Sequence, residues 1–299
     1  MKSPNSNPHN KYTELGAVPR VSIHDLTPER FYREFKKWGK PVVITHALDS
    51  AIPVDIDKLV AHVGDVEVAT REYGAERFSR PKTEWKSYCE MQQRTIAEYC
   101  ELLKDGSARE KHIYLALVEM GHTPLRKLIG PCIDLLEKNT GLRKEPAIDM
   151  NLWVGPCGHV EPLHFDGLDG TLSQFKGTKR VSLFSPSQTG NLYPFPLSNG
   201  KMPATFSQPY IDDPDFVQYP RLAEALPNRK IIVLAEGETL YMPVGWWHEI
   251  ESLGDGYICS INRFWSVDPA WRYALAPRAA FFQFMSQVLK PRKIKATKT

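Results

Sequence analysis

The sequence lacks the features that would place it in a membrane or outside the cell. No stretch approaches the roughly 18 consecutive apolar residues that a membrane-spanning helix requires. The first residues, MKSPNSNPHNKYTEL, are polar and have no apolar core, so we expect no secretory signal there. Residues 1–15 predict a disordered lead-in. We therefore expect a cytoplasmic or nuclear protein that makes no membrane contact.

Cysteine is scarce, and its spacing suggests no pairing. The 299 residues include five cysteines, and no two of them form a C-x-x-C motif. An odd number of scattered thiols argues against a disulfide framework and against a structural zinc knuckle. This usage is typical of a reducing cytosol or nucleus. The five are Cys89, Cys100, Cys132, Cys157 and Cys259.

Most of the chain lacks an excess of charge of either sign. The net charge is +3, and residues 290–299 carry five basic side chains and no acidic one, so the remainder has a net charge of −2. We interpret this basic tail as a solvated segment, with a nucleic-acid-binding arm as the alternative. Its basic residues are Lys290, Arg292, Lys293, Lys295 and Lys298.

The first third of the chain predicts a mixed segment over residues 16–109. In HDLTPERFYREFKKWGKPVVITH, Thr27 can cap a helix that ends at Gly39, and PVVIT then predicts a short strand. Aromatic residues recur along this helix at helical spacing, namely Phe31, Phe35 and Trp38. The stretches DKLVAHVG and TIAEYCELLKDG predict two further helices.

From about residue 110 the pattern becomes that of a β protein. Short apolar runs alternate with Gly, Pro, Asn and Asp, which is typical of an all-β barrel or sandwich. We predict one such domain over residues 110–267. The runs are HIYLALVEM, DMNLWVG, TLSQFKG, KRVSLFS, KIIVLAEG, TLYMPVG and GYICSINRFW.

Two other stretches depart from the β pattern. Residues 190–229 are rich in proline and lack periodicity, which predicts a functional loop or lid. Residues 268–289 predict a C-terminal helix, which can pack on its own barrel or against a second copy of the chain as a homodimer. Its aromatic residues are Phe281, Phe282 and Phe284.

One short motif, EPLHFDG, places His164 and Asp166 two residues apart. On a strand, residues i and i+2 point to the same face, so the imidazole and the carboxylate converge. A metal site of two histidines and one carboxylate needs one more histidine, and His248 in LYMPVGWWHEIES is the best candidate. Each piece alone also fits ordinary packing, because hydrogen-bonded His/Asp pairs are common in protein cores.

Two polar residues could bind an anion near such a site. Lys179 shares a strand face with Val181 and Leu183, and an inward-facing lysine is unfavourable unless it meets an anion. A snorkelling edge lysine is the alternative. Asn262, fourteen residues beyond His248, could add a hydrogen bond to the same ligand or simply end a strand.

The order of these motifs resembles a known family. H-x-D, then G-x-K-R-x-x-L-F-x-P, L-Y-P, L-Y-x-P-x-G-W-W-H and S-x-N is similar to the Jumonji-C oxygenases. More narrowly it resembles their small cupin-like hydroxylases. These include the asparaginyl hydroxylase that acts on hypoxia-inducible factor and the wybutosine-pathway tRNA hydroxylase. The resemblance covers residues 110–267.

The resemblance implies a mainly β fold, a double-stranded β-helix (jelly-roll, cupin-like) barrel with N-terminal and C-terminal helices. It implies Fe(II) held by His164, Asp166 and His248, with 2-oxoglutarate as cosubstrate. The family's lysine for the C5 carboxylate of 2-oxoglutarate falls on Lys179, and its asparagine on Asn262. Tyr114, in HIYLAL, matches a tyrosine that contacts the same carboxylate in some members.

Two positions depart from the family pattern. Relatives often carry Thr or Ser three residues before the first histidine, whereas this chain has Glu161, whose carboxylate would repel the cosubstrate. An asparagine that is common in relatives is replaced by Gly170. The outer contacts of the cosubstrate and the class of substrate are therefore the open part of the prediction.

The expected function is hydroxylation of a protein or peptide side chain, with release of succinate and CO₂. Hydroxylation of a modified tRNA base or of a small metabolite is the alternative within the same enzyme class. A catalytically silent binding scaffold is the alternative outside it. Lysine demethylation is disfavoured, because the sequence has neither a chromatin-reader module nor a cysteine-rich zinc segment.

Overall fold

The computed structural model describes residues 13–49, 54–74, 76, 82–85, 89–142, 148–197 and 202–288. The predicted basic tail lies outside these residues, as does most of the predicted lead-in. Within the described part of the chain, no helix has both the length and the apolarity to cross a membrane.

Thirteen strands in two sheets dominate the described residues. Their pairing is antiparallel except between the first two strands. They are β1 (Arg20–Ser22), β2 (Val42–Thr45), β3 (Glu67–Glu72), β4 (Glu90–Thr95), β5 (Ile113–Glu119), β6 (Ile148–Pro156), β7 (Val160–Phe165), β8 (Asp169–Lys176), β9 (Thr178–Phe184), β10 (Lys230–Leu234), β11 (Thr239–Met242), β12 (Trp247–Leu253) and β13 (Tyr257–Trp265).

The two sheets differ in size and lie face to face. The larger has nine strands in the order β1-β2-β11-β8-β13-β6-β5-β3-β4, and the smaller has four in the order β10-β9-β12-β7. Leu172 and Leu240 of the larger sheet share one buried cluster with Val181 and Ile232 of the smaller. This arrangement is a jelly-roll, so the predicted fold class is confirmed.

Seven α-helices surround the sheets among the described residues. They are α1 (Pro28–Phe31), which continues as a π-helical turn over Tyr32–Lys36, α2 (Ile56–Val63), α3 (Ile96–Lys104), α4 (Ser107–Glu110), α5 (Leu125–Thr140), α6 (Leu222–Ala225) and α7 (Pro277–Val288). The outer face of the large sheet packs against α2, α3 and α5, and Leu59, Tyr99 and Leu128 join Leu152 and Ile261 in the largest buried cluster.

The N-terminal segment contributes strands as well as helices. β2 pairs with β11, and β3 pairs with β5, so strands from the N-terminal segment extend the large sheet at both of its ends. The predicted cap of the first helix is confirmed, because the Arg30 backbone N–H donates to Thr27 Oγ1 at 3.2 Å. The division of the chain at residues 110 and 267 stays a prediction.

Helix α5 and the C-terminal stretch are among the elements that differ from those predicted by the sequence pattern. Residues 125–140 form the sixteen-residue helix α5 inside the region predicted to be wholly β. The C-terminal stretch is not one helix, because a 3₁₀ segment over Ala270–Leu275 precedes α7, which begins at Pro277. Proline fits a first helical turn but interrupts a helix interior, so the break falls where Pro277 stands.

Charged side chains anchor the predicted 190–229 loop to the outer face of the small sheet. Arg180 of β9 contacts Asp212 and also Glu251 of β12, at 2.9 Å from its carboxylate. Arg229 bonds Asp212 at 2.7 Å and Ser182 at 2.7 Å. Within its described part, the loop is therefore fixed against the barrel by a network of opposite charges.

Candidate metal centre

Two strands of the small sheet bring the predicted histidines together. β7 and β12 are antiparallel neighbours, and His164 lies directly opposite His248 in their register. The ring centroids are 4.2 Å apart. The register shifts between His248 and Ile250, which marks a bulge one residue beyond the pair. Bulges of this kind re-aim side chains near functional sites.

Asp166 follows the end of β7 and completes the cluster. Its carboxylate Oδ2 lies 3.5 Å from His248 Nε2. Its backbone carbonyl accepts from the Gly245 N–H at 3.0 Å, which ties the residues after β7 to the turn before β12. Gly245 has φ of +75°, a left-handed conformation that favours glycine.

The hydrogen bonds of the two rings leave the metal-facing nitrogens available. His164 Nδ1 lies 2.7 Å from the Pro162 carbonyl, and His248 Nδ1 lies 3.0 Å from the Trp246 carbonyl. Because a carbonyl only accepts, each Nδ1 carries the proton and each Nε2 keeps its lone pair. Burial, followed by the neighbouring His164, lowers the pKa of His248 to about 4, which favours the neutral form that binds metals.

The three side chains fit a divalent metal ion. One ligand atom each from His164, Asp166 and His248 lies within 4.8 Å of the other two. Small side-chain rotations can bring such a set to bonds of about 2.0–2.2 Å. Two imidazoles and one carboxylate on one face match the donor set of non-haem Fe(II) oxygenases, which leaves the opposite positions open.

The triad lies in a cavity of about 690 Å³. This is within the roughly 300–1,000 Å³ range of small-molecule sites. All of the predicted site residues line it, and so does Glu161. Much of the remaining wall is apolar or aromatic, including Trp85, Met91, Leu117, Met202, Phe206 and Phe264.

Lys179 is buried at the inner wall of this cavity. Its side chain is 2% exposed, and Nζ donates to Ser260 Oγ on β13 at 2.6 Å. Burial lowers the pKa of Lys179 to about 7, while Cys259 and Glu161 act in the opposite direction. Lys179 lines the cavity and is buried, so its side chain faces inward as predicted. In this position its ammonium group could bind an anionic group.

Asn262 and Tyr114 also line the cavity. Asn262 Oδ1 accepts from Trp153 Nε1 at 3.0 Å, which leaves its amide N–H groups to face a ligand. The Tyr114 ring is 2% exposed and fills the space above Gly155, where an added Cβ would lie 2.0 Å from a ring carbon. Their proposed contacts with a cosubstrate stay predictions.

Glu161 lies at the same wall as two histidines and an arginine, His159, His164 and Arg71. Its Oε2 is 3.6 Å from His159 Nε2. Burial alone would raise the pKa of Glu161, but His159, His164 and Arg71 outweigh this effect and lower the pKa to about 2. The carboxylate is therefore charged at neutral pH, and the repulsion expected from the sequence is offset by neighbours that the sequence did not reveal.

The sequence pattern gave no reason to select His159 or Arg71. His159 is 3% exposed and stacks on Tyr114 with ring centroids 3.6 Å apart and planes 9° apart. Arg71 lies on β3, opposite Tyr114 of β5. Its position in the cavity depends on β3 joining the sheet beside β5, a pairing that no local motif signals.

The tryptophans beside His248 have structural contacts. Trp246 Nε1 donates to the Gly39 carbonyl at 2.8 Å, and Trp247 Nε1 donates to Thr189 Oγ1 at 3.0 Å. Trp247 is fully buried among apolar residues. Both indoles thereby hold the start of β12 in place and fix the base of the strand that carries His248.

The fold and the triad together define a class of protein, the cupin-type jelly-roll with a candidate metal centre. The cupin-like domain family matches residues 28–270. The chain therefore belongs to the cupin-like domain family, and proteins with Jumonji-C names are among those similar to it.

Similar proteins carry Jumonji-C names or names drawn from a partner. The chain is 34% identical over 259 residues to lysine-specific demethylase 8 of Danio rerio, covering 83% of this chain and 58% of that protein. It is 35% identical over 126 residues to lysine-specific demethylase 8 of Xenopus tropicalis, covering 42% of this chain and 27% of that protein.

A third relative has a different name. HSPB1-associated protein 1 of Rattus norvegicus is 35% identical over 115 residues, covering 38% of this chain and 23% of that protein. The chain thus spans between 23% and 58% of the lengths of these three relatives.

Proposed function

We propose that the protein is an Fe(II)- and 2-oxoglutarate-dependent dioxygenase that hydroxylates a side chain of a protein or peptide. The observation that carries this proposal is the convergence of His164, Asp166 and His248 within 4.8 Å at one wall of a cavity. Lys179 and Asn262 line the same cavity. When bound, the iron activates O₂ with 2-oxoglutarate as the source of electrons, and succinate, CO₂ and a hydroxylated substrate result.

The triad residues would hold the iron. His164 and His248 present neutral Nε2 atoms, because each Nδ1–H is donated to a backbone carbonyl. Asp166 supplies the anionic ligand. Since all three come from adjacent backbone segments, they would hold the metal together, with Asp166 and the two histidines as its protein ligands.

Lys179 would hold the far carboxylate of 2-oxoglutarate. Its ammonium group is nine-tenths or more buried, and a charge-assisted hydrogen bond is strong in such a place. Ser260, bonded to Nζ at 2.6 Å, fixes the direction of the ammonium group. Asn262 would donate from its amide, because its Oδ1 is already used by Trp153.

The outer part of the cavity would receive the substrate and exclude water. Its wall includes Trp85, Met91, Met202 and Phe206. Lys82 and Trp85 dock on the 190–229 loop: Lys82 Nζ donates to the Pro209 carbonyl at 2.6 Å, and the Trp85 ring lies 6.1 Å from that of Tyr210. These contacts bring an N-terminal segment against the loop beside the cavity.

Hydroxylation and demethylation share the same first product, a hydroxylated carbon, and differ in whether that carbon is lost. The demethylase names of two relatives make removal of a lysine N-methyl group the second candidate. Mass spectrometry separates the two, since hydroxylation adds one oxygen atom to a peptide, whereas demethylation removes a methyl group and releases formaldehyde. Hydroxylation of a modified tRNA base is the remaining alternative.

The decisive experiment begins with anaerobic reconstitution. Fe(II) and 2-oxoglutarate added to the wild-type protein should give a visible absorption band, and admission of O₂ with a peptide library should consume 2-oxoglutarate. Asp166→Ala should show neither. The matched control is Asp57→Ala, which removes a surface carboxylate on α2 and should behave as wild type. A wild-type protein that binds no 2-oxoglutarate would support the silent-scaffold alternative.

Substrate identity requires capture. Wild-type protein loaded with Zn²⁺ and 2-oxoglutarate should retain its substrate without turning it over, and mass spectrometry of the retained material identifies it. If peptides are retained and their retention is insensitive to salt, a protein substrate is favoured. Retention of tRNA that is lost at moderate salt would instead favour the nucleic-acid alternative.

A further inference from the structure

The cavity contains a carboxylate that neither the metal site nor the lysine clamp requires. Glu161 lies on β7 three residues before His164, and its side chain is 13% exposed. A second carboxylate placed in the same poorly hydrated cavity would be repelled by it. Binding of a dicarboxylate beside Lys179 therefore requires that the charge of Glu161 be offset within the protein.

His159 is the first of two candidate countercharges. Its Nε2 lies 3.6 Å from Glu161 Oε2, and its ring is held parallel to that of Tyr114. Tyr73 adds a second ring contact at 5.9 Å. A histidine carries charge only when it is protonated, so its compensation of Glu161 is conditional.

Arg71 is the second candidate, and its charge is permanent. Strand β3 places Arg71 opposite Tyr114, and the stacked Tyr114 and His159 rings connect that position to Glu161. Arg71 and Glu161 both line the cavity. Tyr73, followed by Glu161, raises the pKa of Arg71, and Arg71 acts with His159 and His164 to lower the pKa of Glu161, although burial alone acts against the charge on both.

We propose that Arg71 and Glu161 form an internal charge pair that sets how strongly the cavity holds the far carboxylate of its cosubstrate. In this pair the charge of Glu161 repels the far carboxylate of the cosubstrate, and the charge of Arg71 offsets that repulsion. The Lys179 ammonium group can then bind this carboxylate. Arg71 is thus a positioning residue that acts through Glu161 and not a ligand of the cosubstrate. The inference rests on the proposed function, since it assumes that 2-oxoglutarate binds beside Lys179.

A double-mutant cycle tests this proposal without turnover. Wild type, Arg71→Gln, Glu161→Gln and the double variant are loaded with Mn²⁺, and the Kd of 2-oxoglutarate is measured by calorimetry. Arg71→Gln should weaken binding about tenfold or more, because Glu161 is left uncompensated. Glu161→Gln should tighten it by about threefold or more, and the double variant should return to within about threefold of wild type.

Arg71→Lys is the conservative control. It keeps the positive charge and should hold the Kd within about threefold of wild type. Two results would overturn the proposal. Arg71→Gln could weaken the binding of 2-oxoglutarate by the same factor whether Glu161 is present or replaced, which would mean that Arg71 binds the cosubstrate directly. Alternatively, Glu161→Gln could itself weaken binding, which would mean that Glu161 helps to hold the cosubstrate.

A second measurement separates failure of this inference from failure of the proposed function. The same four proteins, free of metal and cosubstrate, are unfolded in urea. If Arg71 and Glu161 are paired, each single variant lowers the unfolding midpoint and the double variant recovers most of the loss. A wild type that binds no 2-oxoglutarate would defeat the proposed function alone, whereas strictly additive shifts in midpoint would defeat the charge pair.

Discussion

His164 and His248 face each other across β7 and β12 and are oriented in the same way. In each case Nδ1 lies within 3.0 Å of the backbone carbonyl oxygen two residues earlier in the chain. For His164 this is the carbonyl of Pro162, and for His248 it is that of Trp246. Both rings are therefore oriented by hydrogen bonds to their own backbone, and the His164 ring also stacks on Phe206 at 4.9 Å between centroids.

Removal of either histidine should abolish tight metal binding. His164→Ala and His248→Ala should each weaken Co²⁺ or Fe(II) binding about 100-fold or more, because two ligands from a set of three no longer close the site. Anaerobic titration of Co²⁺ absorbance measures this. The matched control is His62→Ala on α2, whose Nδ1 also lies 2.9 Å from a backbone carbonyl, that of Lys58. Equal loss in His62→Ala would contradict the assignment.

The affinity for 2-oxoglutarate should fall as the pH rises above about 7. Burial lowers the pKa of Lys179 to about 7, so the free protein loses the ammonium charge above that pH. Since only the charged form holds a carboxylate, the Kd should rise by up to about tenfold for each pH unit between 7 and 9. Calorimetry with Mn²⁺ measures the profile. Lys179→Arg, which stays charged, should give a flat one, and a flat wild-type profile would contradict the clamp.

The buried pair of Asp169 and Arg272 should contribute strongly to stability. The guanidinium bonds both carboxylate oxygens, at 2.6 and 2.9 Å, and the two side chains are 0% and 1% exposed. Arg272→Met leaves a buried, unpaired carboxylate and should lower the free energy of unfolding by about 3–5 kcal/mol. Urea unfolding measures the loss. Arg109→Met breaks the exposed pair with Asp255 and should change the stability by less than about 1 kcal/mol.

The Asp169 carboxylate also accepts from the Val244 backbone N–H at 2.9 Å. Arg272→Met should therefore disturb the turn before β12 as well as the global stability. An Arg272→Met variant that unfolds at the same urea concentration as wild type would contradict the expected contribution of this pair to stability.

Gly245→Ala should damage both stability and metal binding. An added Cβ would lie 2.4 Å from Ala276 Cβ, and φ is +75°. The Gly245 N–H also bonds the Asp166 carbonyl, so any shift of the turn moves a triad residue. We expect a loss of about 3 kcal/mol or more and a weaker Co²⁺ affinity.

Gly237→Ala is the matched control for that variant. Gly237 has φ of +91°, but nothing lies within 4 Å of an added Cβ. It should lose only the backbone contribution of about 1–2 kcal/mol and should keep its metal affinity. Equal effects of the two variants would show that backbone strain alone accounts for the Gly245 result.

The strands of the barrel could be predicted because local pattern and burial agree there. Each of the seven apolar runs named from the sequence overlaps a strand, from β5 to β13. The first helix begins after Thr27, as predicted. Gly39 has φ of +59°, the left-handed conformation that glycine often adopts just after a helix. The closeness of His164 and Asp166 could also be expected from their i, i+2 spacing, although Asp166 lies one residue beyond the end of β7.

The elements that were missed depend on tertiary contacts or on an overlooked period. β3 and β4, with sequences EVATRE and EMQQRT, lack apolar alternation and are held by backbone pairing at the end of the large sheet. Helix α5 contains Gly130 and Pro131, which obscure its helical character. Its buried residues nevertheless recur at helical spacing, namely Leu125, Leu128, Ile129, Cys132, Ile133 and Leu136.

The C-terminal residues Phe281, Phe282 and Phe284 illustrate why a surface role stays a prediction. Phe282 packs 6.0 Å from Phe165, on its own barrel. Phe281 and Phe284 are 44% and 63% exposed. Phe282 therefore fits the alternative of packing on the barrel, while the other alternative, a homodimer, stays a prediction.

The strand order of the large sheet has a consequence for how the chain folds. β13 lies between β8 and β6, and β2 pairs with β11 almost two hundred residues later in the chain. Such pairings have high contact order, and loop closure must precede them, so folding is expected to be slow. During synthesis the ribosome must release residue 265 before the centre of the sheet can form. Until then the apolar faces of β6 and β8 remain exposed, which makes the nascent chain a natural client for chaperones.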